Sequence, residues 1–144
     1  MYNTILVPLD GSKRAENVLP HVEELAHCYD AEVILLRVAE PPDVAVGVNL
    51  YLREGERRTK QATSYLSALQ VEFREKGIET RIRVAHGPIV EAILGVAEDE
   101  GADLIAMASH GRSGLSRVFY GSVAAGVLHR VDRPLLIVRS QYDG

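Results

Sequence analysis

The fold class is decided by Ile5-Leu6-Val7-Pro8-Leu9-Asp10-Gly11-Ser12, a stretch in which an unbroken apolar run ends in a polar turn. A short run without polar alternation is typical of a strand that is covered on both faces. Comparable runs recur along the chain, and we predict strands over residues 5–9, 33–38, 82–85, 104–108 and 135–138.

Segments with helical spacing alternate with these strands. Apolar residues recur at intervals of three and four over residues 15–26, 62–73, 89–97 and 123–128. Parallel strands need crossover connections, so the alternation predicts a parallel sheet with helices on both faces. With right-handed crossovers, we predict an α/β fold with a single doubly wound five-stranded parallel sheet of strand order 3-2-1-4-5.

Three local signals add detail to this fold. Residues 81–84 read Arg-Ile-Arg-Val, and the alternation indicates a half-exposed strand at an edge of the sheet. Pro20 falls inside the first helical pattern and should kink or interrupt that helix. Residues 40–54 contain the turn formers Pro, Asp, Gly and Asn, so we predict a mobile loop there.

Composition narrows the class of protein. The chain has 144 residues, 47% of them hydrophobic, which suits one domain over residues 1–144. Its net charge is −4 with both signs interspersed, so we expect no nucleic acid and no membrane as a partner. The first apolar run is too short for a membrane span or signal peptide, and a single cysteine, Cys28, suits a reducing compartment, so we expect a cytoplasmic protein. We expect no metal site built from side chains, because no ligand spacing relates the histidines His21, His27, His86 and His129.

The predicted strand order also indicates where a ligand would bind. The first and fourth strands are neighbours at the point where the winding reverses, and ligands of open α/β sheets bind there, beyond the carboxyl ends of the strands. The loops at that point carry Asp10-Gly11-Ser12 and Ser109-His110-Gly111-Arg112-Ser113-Gly114. We therefore expect these two loops to form the ligand site.

The second loop has the chemistry of a phosphate site. Gly111 and Gly114 would let backbone N–H groups approach an anion, and Arg112 offers a fork of donors. Gly121-Ser122-Val123 would present free amides at a helix N-terminus, with Ser122 as the N-cap. The same residues also fit a flexible loop followed by an ordinary helix cap, and the pattern alone leaves both interpretations open.

Longer motifs resemble the universal stress protein family, and the resemblance covers essentially the whole chain. The motifs are the opening stretch Ile5 to Ser12, the run Met107-Ala108-Ser109-His110-Gly111-Arg112-Ser113-Gly114 and the closing Arg133-Pro134-Leu135-Leu136-Ile137-Val138. Members that bind ATP carry Gly, two residues, Gly, nine residues, and then Gly followed by Ser or Thr. Here Ala108 replaces the first glycine and the remaining positions match. One added methyl group tolerates strand geometry, so we expect weaker affinity and not its loss.

The resemblance implies a site for ATP, or for AMP or ADP. The residues that would flank the adenine and ribose are Pro8, Leu9 and Asp10, with the Asp10 carboxylate accepting ribose hydroxyls. Those that would border the base and adenosine are Val38, Met107 and Ala108. Those that would surround the phosphates are Gly111, Arg112, Gly114, Gly121, Ser122 and Val123. His110 lies beside them and is a further candidate contact, and Mg²⁺ would be held mainly by phosphate oxygens. The family commonly dimerises through its last strand, which implies a homodimer through Leu135–Val138.

Three functions remain open on these residues. The first is a nucleotide-dependent regulator of the stress response; the second is a slow ATP hydrolase, for which the chain lacks a P-loop and an evident base; the third is a ligand-free interaction module. Asp10 would be a phospho-acceptor in a signalling domain, but no acidic pair for Mg²⁺ follows it. His110 would either be catalytic or position the loop, and Arg117 would either reach a phosphate or lie along the surface.

Overall fold

Strands and helices alternate through the part of the chain that the structure describes. A computed structural model describes residues 1–110 and 121–140. Its strands and α-helices are, in order, β1 (Thr4–Leu9), α1 (Leu19–Tyr29), β2 (Glu32–Ala39), α2 (Val48–Glu75), β3 (Thr80–His86), α3 (Ile89–Glu100), β4 (Leu104–Ala108), α4 (Ser122–Arg130) and β5 (Leu135–Val138). Short 3₁₀ turns at Ala15–Val18 and Val44–Val46 precede α1 and α2. None of the helices in the described ranges combines the length and the apolar character that a membrane span needs.

The strands form one parallel sheet in the order β3-β2-β1-β4-β5. β1 pairs with β2 from Thr4, opposite Glu32, to Leu9, opposite Arg37. On its other side β1 pairs with β4. The predicted α/β class and strand order are confirmed, and so is the edge position of β3. The winding reverses between β1 and β4.

Helices cover both faces of the sheet because successive residues of a strand point to opposite sides. Ile5 and Val7 of β1 pack on one face with residues of α1 and α2. Leu6 packs on the opposite face with residues of α3 and α4. All three side chains are fully buried, which explains why the sequence of β1 shows no polar alternation.

The segment after β2 differs from the sequence prediction. α2 begins at Val48, so residues 48–54 are helical and the predicted loop ends at Gly47. Glu54 accepts hydrogen bonds from Arg57 and Arg58, three and four residues later, and these pairs stabilise the first turns of the helix. The two guanidinium groups lower the pKa of Glu54 to about 2. Arg58 also donates to the carbonyl of Glu40, which ties the start of α2 to the end of β2. The predicted mobility of this segment stays a prediction.

The observed starts of α1 and α4 can be compared with those predicted from the sequence. Pro20 interrupts the first helical pattern as expected, because a 3₁₀ turn ends at Val18 and α1 begins with the proline in its first turn. The prediction for α4 was wrong by one residue. Gly121 is its N-cap and Ser122 is the first helical residue. A glycine N-cap has no side chain to bond the first amides.

We expect Phe73→Ala to lower the free energy of unfolding by about 3–5 kcal/mol, because Phe73 is 1% exposed between α2 and the sheet and its loss leaves a cavity. Val71 lies on the same helix and is 56% exposed, so Val71→Ala is the matched control and should change stability by less than about 0.5 kcal/mol. Urea unfolding followed by circular dichroism measures both. Equal losses in the two variants would contradict the described packing of α2.

Candidate functional site

The turn after β1 places the Asp10 carboxylate at the carboxyl edge of the sheet. Asp10 Oδ1 accepts hydrogen bonds from the backbone N–H of Ser12 at 2.9 Å and from the Ser12 hydroxyl at 2.6 Å. Ser12 Oγ in turn accepts from the N–H of Ala15 at 3.2 Å. The turn requires Gly11, whose φ is +88°. A local turn therefore holds one carboxylate oxygen in place.

The chain after β4 is fastened to β5 and to the start of α4. The N–H of Ser109 donates to the carbonyl of Val138 at 2.8 Å, and the N–H of Gly121 donates to the carbonyl of Ser109 at 2.7 Å. Ser140 bonds both neighbouring residues, because its N–H donates to Ser109 Oγ at 2.9 Å and its Oγ accepts from the N–H of His110 at 3.1 Å. These bonds hold the N-terminus of α4 against the end of β4.

Gly121 lies in a space where a side chain would be crowded. A Cβ added there would lie 3.3 Å from the carbonyl oxygen of Ser109 and 3.7 Å from Cδ2 of His110. Its φ of −68° is ordinary, so space and not backbone conformation favours glycine. The helix that follows carries partial positive charge at its N-terminus, which favours an anion.

His110 carries an unsatisfied polar atom beside this helix N-terminus. Its Nδ1 lies 3.1 Å from Ser109 Oγ. Its Nε2 is buried and has no hydrogen-bond partner among residues 1–110 and 121–140. A buried polar atom without a partner costs free energy, and a bound polar group would remove that cost.

The remaining sequence-predicted residues divide between the sheet edge and the part of the chain that is not described. Val38 is half-buried at the carboxyl end of β2, on the face covered by α3 and α4. The ends of the neighbouring strands supply four buried residues: Pro8, Leu9, Met107 and Ala108. At the start of α4, Ser122 is exposed and Val123 is half-buried. Three predicted contact residues lie outside the described residues, namely Gly111, Arg112 and Gly114, and so does Arg117, for which the sequence left two roles open.

Ala108 occupies its glycine position without backbone strain. Among the described residues, Asp30 is the one non-glycine residue with a positive φ. Ala108 pairs opposite Val138 as the last residue of β4. The strand therefore accommodates the methyl group, as the sequence predicts.

Across the same described ranges, no group of three or more His, Cys, Asp or Glu residues is arranged to hold a metal ion.

A group of polar side chains that the sequence did not indicate lies next to the Asp10 turn. Arg37 packs against Gly11, and its Cζ lies 5.4 Å from the ring centroid of Tyr65. The Tyr65 hydroxyl donates to Glu16 Oε2 at 2.7 Å. Burial, with a smaller effect of Glu16, raises the pKa of Tyr65 above its usual range. The signal in the sequence was a single arginine near the end of the otherwise apolar β2 run.

Comparison with known proteins gives relatives over nearly the whole length. The chain is 31% identical to the universal stress protein MJ0577 of Methanocaldococcus jannaschii, over 96% of this chain and 96% of that protein. It is 32% identical to the universal stress protein YxiE of Bacillus subtilis, over 96% of this chain and 100% of that protein.

Solved structures share the fold. The structure of MJ0577 matches with a TM-score of 0.91 at 31% identity, covering 99% of each chain. A universal stress protein solved in complex with cAMP matches with a TM-score of 0.75 at 23% identity, covering 97% of this chain and 99% of that one. A family protein from Arabidopsis thaliana with AMP bound matches with a TM-score of 0.71 at 14% identity, covering 98% and 94%. At identities below 25%, the last two show a common fold.

The family assignment is based on a match that covers the candidate site and all strands of the described sheet. The model of the universal stress protein family matches residues 1–139, which include every strand and both loops at the carboxyl edge. The relatives at 31% and 32% identity extend over the same length. The chain therefore belongs to the universal stress protein family.

Proposed function

We propose that the chain binds an adenine nucleotide, ATP in the first place and otherwise ADP or AMP, and acts as a nucleotide-dependent regulator in the stress response. The observation that carries the proposal is the hydrogen bond between the N–H of Gly121 and the carbonyl of Ser109. It brings a helix N-terminus to the end of β4, next to β1, the strand that Asp10 follows. Such an edge offers a carboxylate for a sugar and an electropositive end for phosphates.

Related structures support an adenine nucleotide as the ligand. A universal stress protein with cAMP and a family protein from Arabidopsis thaliana with AMP share this fold. Both ligands contain adenine, ribose and phosphate. ATP is proposed for this chain because Gly121 and Ser122 follow the spacing of the ATP-binding motif.

The residues at the start of α4 fit a phosphate group. Gly121 leaves the approach to the helix N-terminus free of a side chain, and the first amides of α4 would donate to phosphate oxygens. His110 Nε2 would gain the partner that it lacks among the described residues. The proposed phosphate site also includes Ser122, Val123 and the motif residues Gly111, Arg112 and Gly114. Mg²⁺ would be held mainly by phosphate oxygens, which are hard ligands of the kind it prefers.

The ends of β1, β2 and β4 would hold the adenosine. The Asp10 carboxylate would accept ribose hydroxyls. Leu9 and Met107 direct their side chains into the two cores, so their backbone would border the ligand. The other residues proposed to lie along the adenosine are Pro8, Val38 and Ala108.

Gly121→Val should raise the Kd for ATP about tenfold or more, because a side chain next to Ser109 would block the phosphate from the helix amides. Calorimetry with ATP and Mg²⁺ on nucleotide-free protein measures the effect. Gly95→Val is the control, since a Cβ on Gly95 meets no atom within 4 Å. If Gly121→Val binds as tightly as the parent, the phosphate site is elsewhere. No binding by the parent at millimolar ATP would refute the proposed function.

Phosphate release should be slow or absent. Phosphoryl transfer needs a group that positions the nucleophile, besides stabilisation of charge. Asp10 is proposed at the ribose end and is bonded to Ser12, and His110 is the candidate base that lies beside the start of α4. With protein in excess of ATP, we expect release far below ~1 s⁻¹, the low end of ordinary turnover. Release near that rate, abolished by His110→Ala with binding unchanged, would make the protein an ATPase.

We also propose a homodimer through Leu135–Val138 in the cytoplasm. β5 is an edge strand with apolar, half-buried side chains, and such an edge favours pairing with another chain. The opposite edge, β3, carries Arg81 and Arg83 in ion pairs with Glu100, and charged side chains discourage pairing.

The cytoplasm is proposed because Cys28 is an exposed free cysteine, which a reducing compartment preserves.

The proposed dimer can be tested on the outward-facing backbone of β5. The carbonyls of Pro134 and Val138 accept from β4, so the N–H of Ile137 faces the open edge. The proposed dimer has its two-fold axis near Val138, next to this donor. Ile137→Pro removes the donor, and we expect the variant to be monomeric by light scattering at micromolar concentration. Ile137→Ala shortens the same side chain but keeps the N–H, and it should remain dimeric. A monomeric parent protein would contradict the proposal.

A further inference from the structure

Arg37 packs directly against the turn that carries Asp10. It is the residue of β2 opposite Leu9, the last residue of β1. A Cβ added to Gly11 would lie 2.8 Å from Arg37 Nη1, 3.2 Å from Cζ and 3.3 Å from Nη2. The guanidinium group thus occupies the space where any other residue at position 11 would place its side chain.

Arg37 also contacts α2 through Tyr65. Its Cζ lies 5.4 Å from the ring centroid of Tyr65, a distance at which an aromatic face attracts a cation. Tyr65 is fixed in turn, because its hydroxyl donates to Glu16 Oε2 at 2.7 Å. The charge of Arg37 lowers the pKa of Tyr65 and the charge of Asp10 raises it, so both charges lie close enough to act on the same hydroxyl group. Arg37 therefore connects a rigid helix to the Asp10 turn.

The turn needs such a support because it contains a glycine, the residue type with the least restricted backbone. Gly11 has access to positive and negative φ, and its φ here is +88°. The Ser12 bonds fix Asp10 relative to the turn, but they do not fix the turn relative to the sheet. A guanidinium group that fills the space beside Gly11 restricts this motion. Restricting a binding group before the ligand arrives lowers the entropic cost of binding.

We propose that Arg37 is a positioning residue that orients the Asp10 carboxylate towards the ribose hydroxyls and so sets the selectivity for ribonucleotides. The inference rests on the proposed nucleotide site. Arg37 acts through the turn and not by contact with the ligand. Its loss should therefore weaken ribose recognition and leave recognition of the base and phosphates intact.

The test compares the Kd of ATP with that of 2′,3′-dideoxy-ATP by calorimetry. The wild-type chain should prefer ATP about tenfold or more, because hydroxyls that donate to a carboxylate make strong hydrogen bonds. Asp10→Asn gives the preference that remains without the carboxylate. Arg37→Met should lower the preference to about threefold or less, with the Kd of dideoxy-ATP changed by less than about twofold. In the Asp10→Asn background, Arg37→Met should have no further effect, since both act on one interaction.

Two further variants separate positioning from general stability. Arg83→Met removes an arginine of the neighbouring strand that pairs with Asp99 and Glu100, and it should leave the preference for ATP unchanged. Arg37→Lys keeps a cation on a long stem but lacks the planar group, so it should also lower the preference; it carries the test if Arg37→Met does not fold. An unchanged preference in a folded Arg37 variant, or an equal loss for both nucleotides, overturns the inference alone. A wild-type chain that binds neither nucleotide overturns the proposed function and this inference together.

Discussion

The parallel pairing of β1 with β2 on one side and β4 on the other is the constraint on which the rest of the structure depends. Because β1 is buried on both faces, its backbone groups must be satisfied within the sheet and its side chains must be covered by helices on both sides. Polar groups can then gather only where the strands end. The pairing also sets the side on which they gather, because parallel neighbours end at the same edge.

The two faces of the sheet contribute differently to that edge. Arg37 and Val38 are adjacent in β2, and strand geometry sends them to opposite faces. Val38 packs with the core under α3 and α4. Arg37 lies on the side of α2, where it contacts Tyr65 and the turn at Gly11. One strand end thus borders the proposed ligand from one face and supports the ligand-binding turn from the other.

Most of the fold could be predicted from the sequence because buried strands and helix faces require apolar residues at regular positions. The strand order and the position of β3 followed from apolar runs, one alternating run and crossover rules. The start of α2 was missed because Gly47 and Asn49 favour a turn there, and its apolar residues Val48, Leu50 and Leu52 are exposed and so show no buried face. Its first turns are stabilised by the bonds of Glu54 to Arg57 and Arg58. At the candidate site, the sequence indicated which strand ends meet. It could not indicate the packing of Arg37 on Gly11, because residues 26 positions apart become neighbours only after β1 and β2 pair.

Ser140 links the end of the sheet to the loop after β4. It bonds the side chain of Ser109 and both backbone groups of His110, and it follows β5 by two residues. These bonds join the strand proposed to pair with a second copy of the chain to the loop proposed to hold phosphate. By thermodynamic reciprocity, a ligand at His110 and a partner on β5 would change each other's affinity by the same factor. Ser140 thus connects the proposed dimer edge and the proposed phosphate site through three hydrogen bonds.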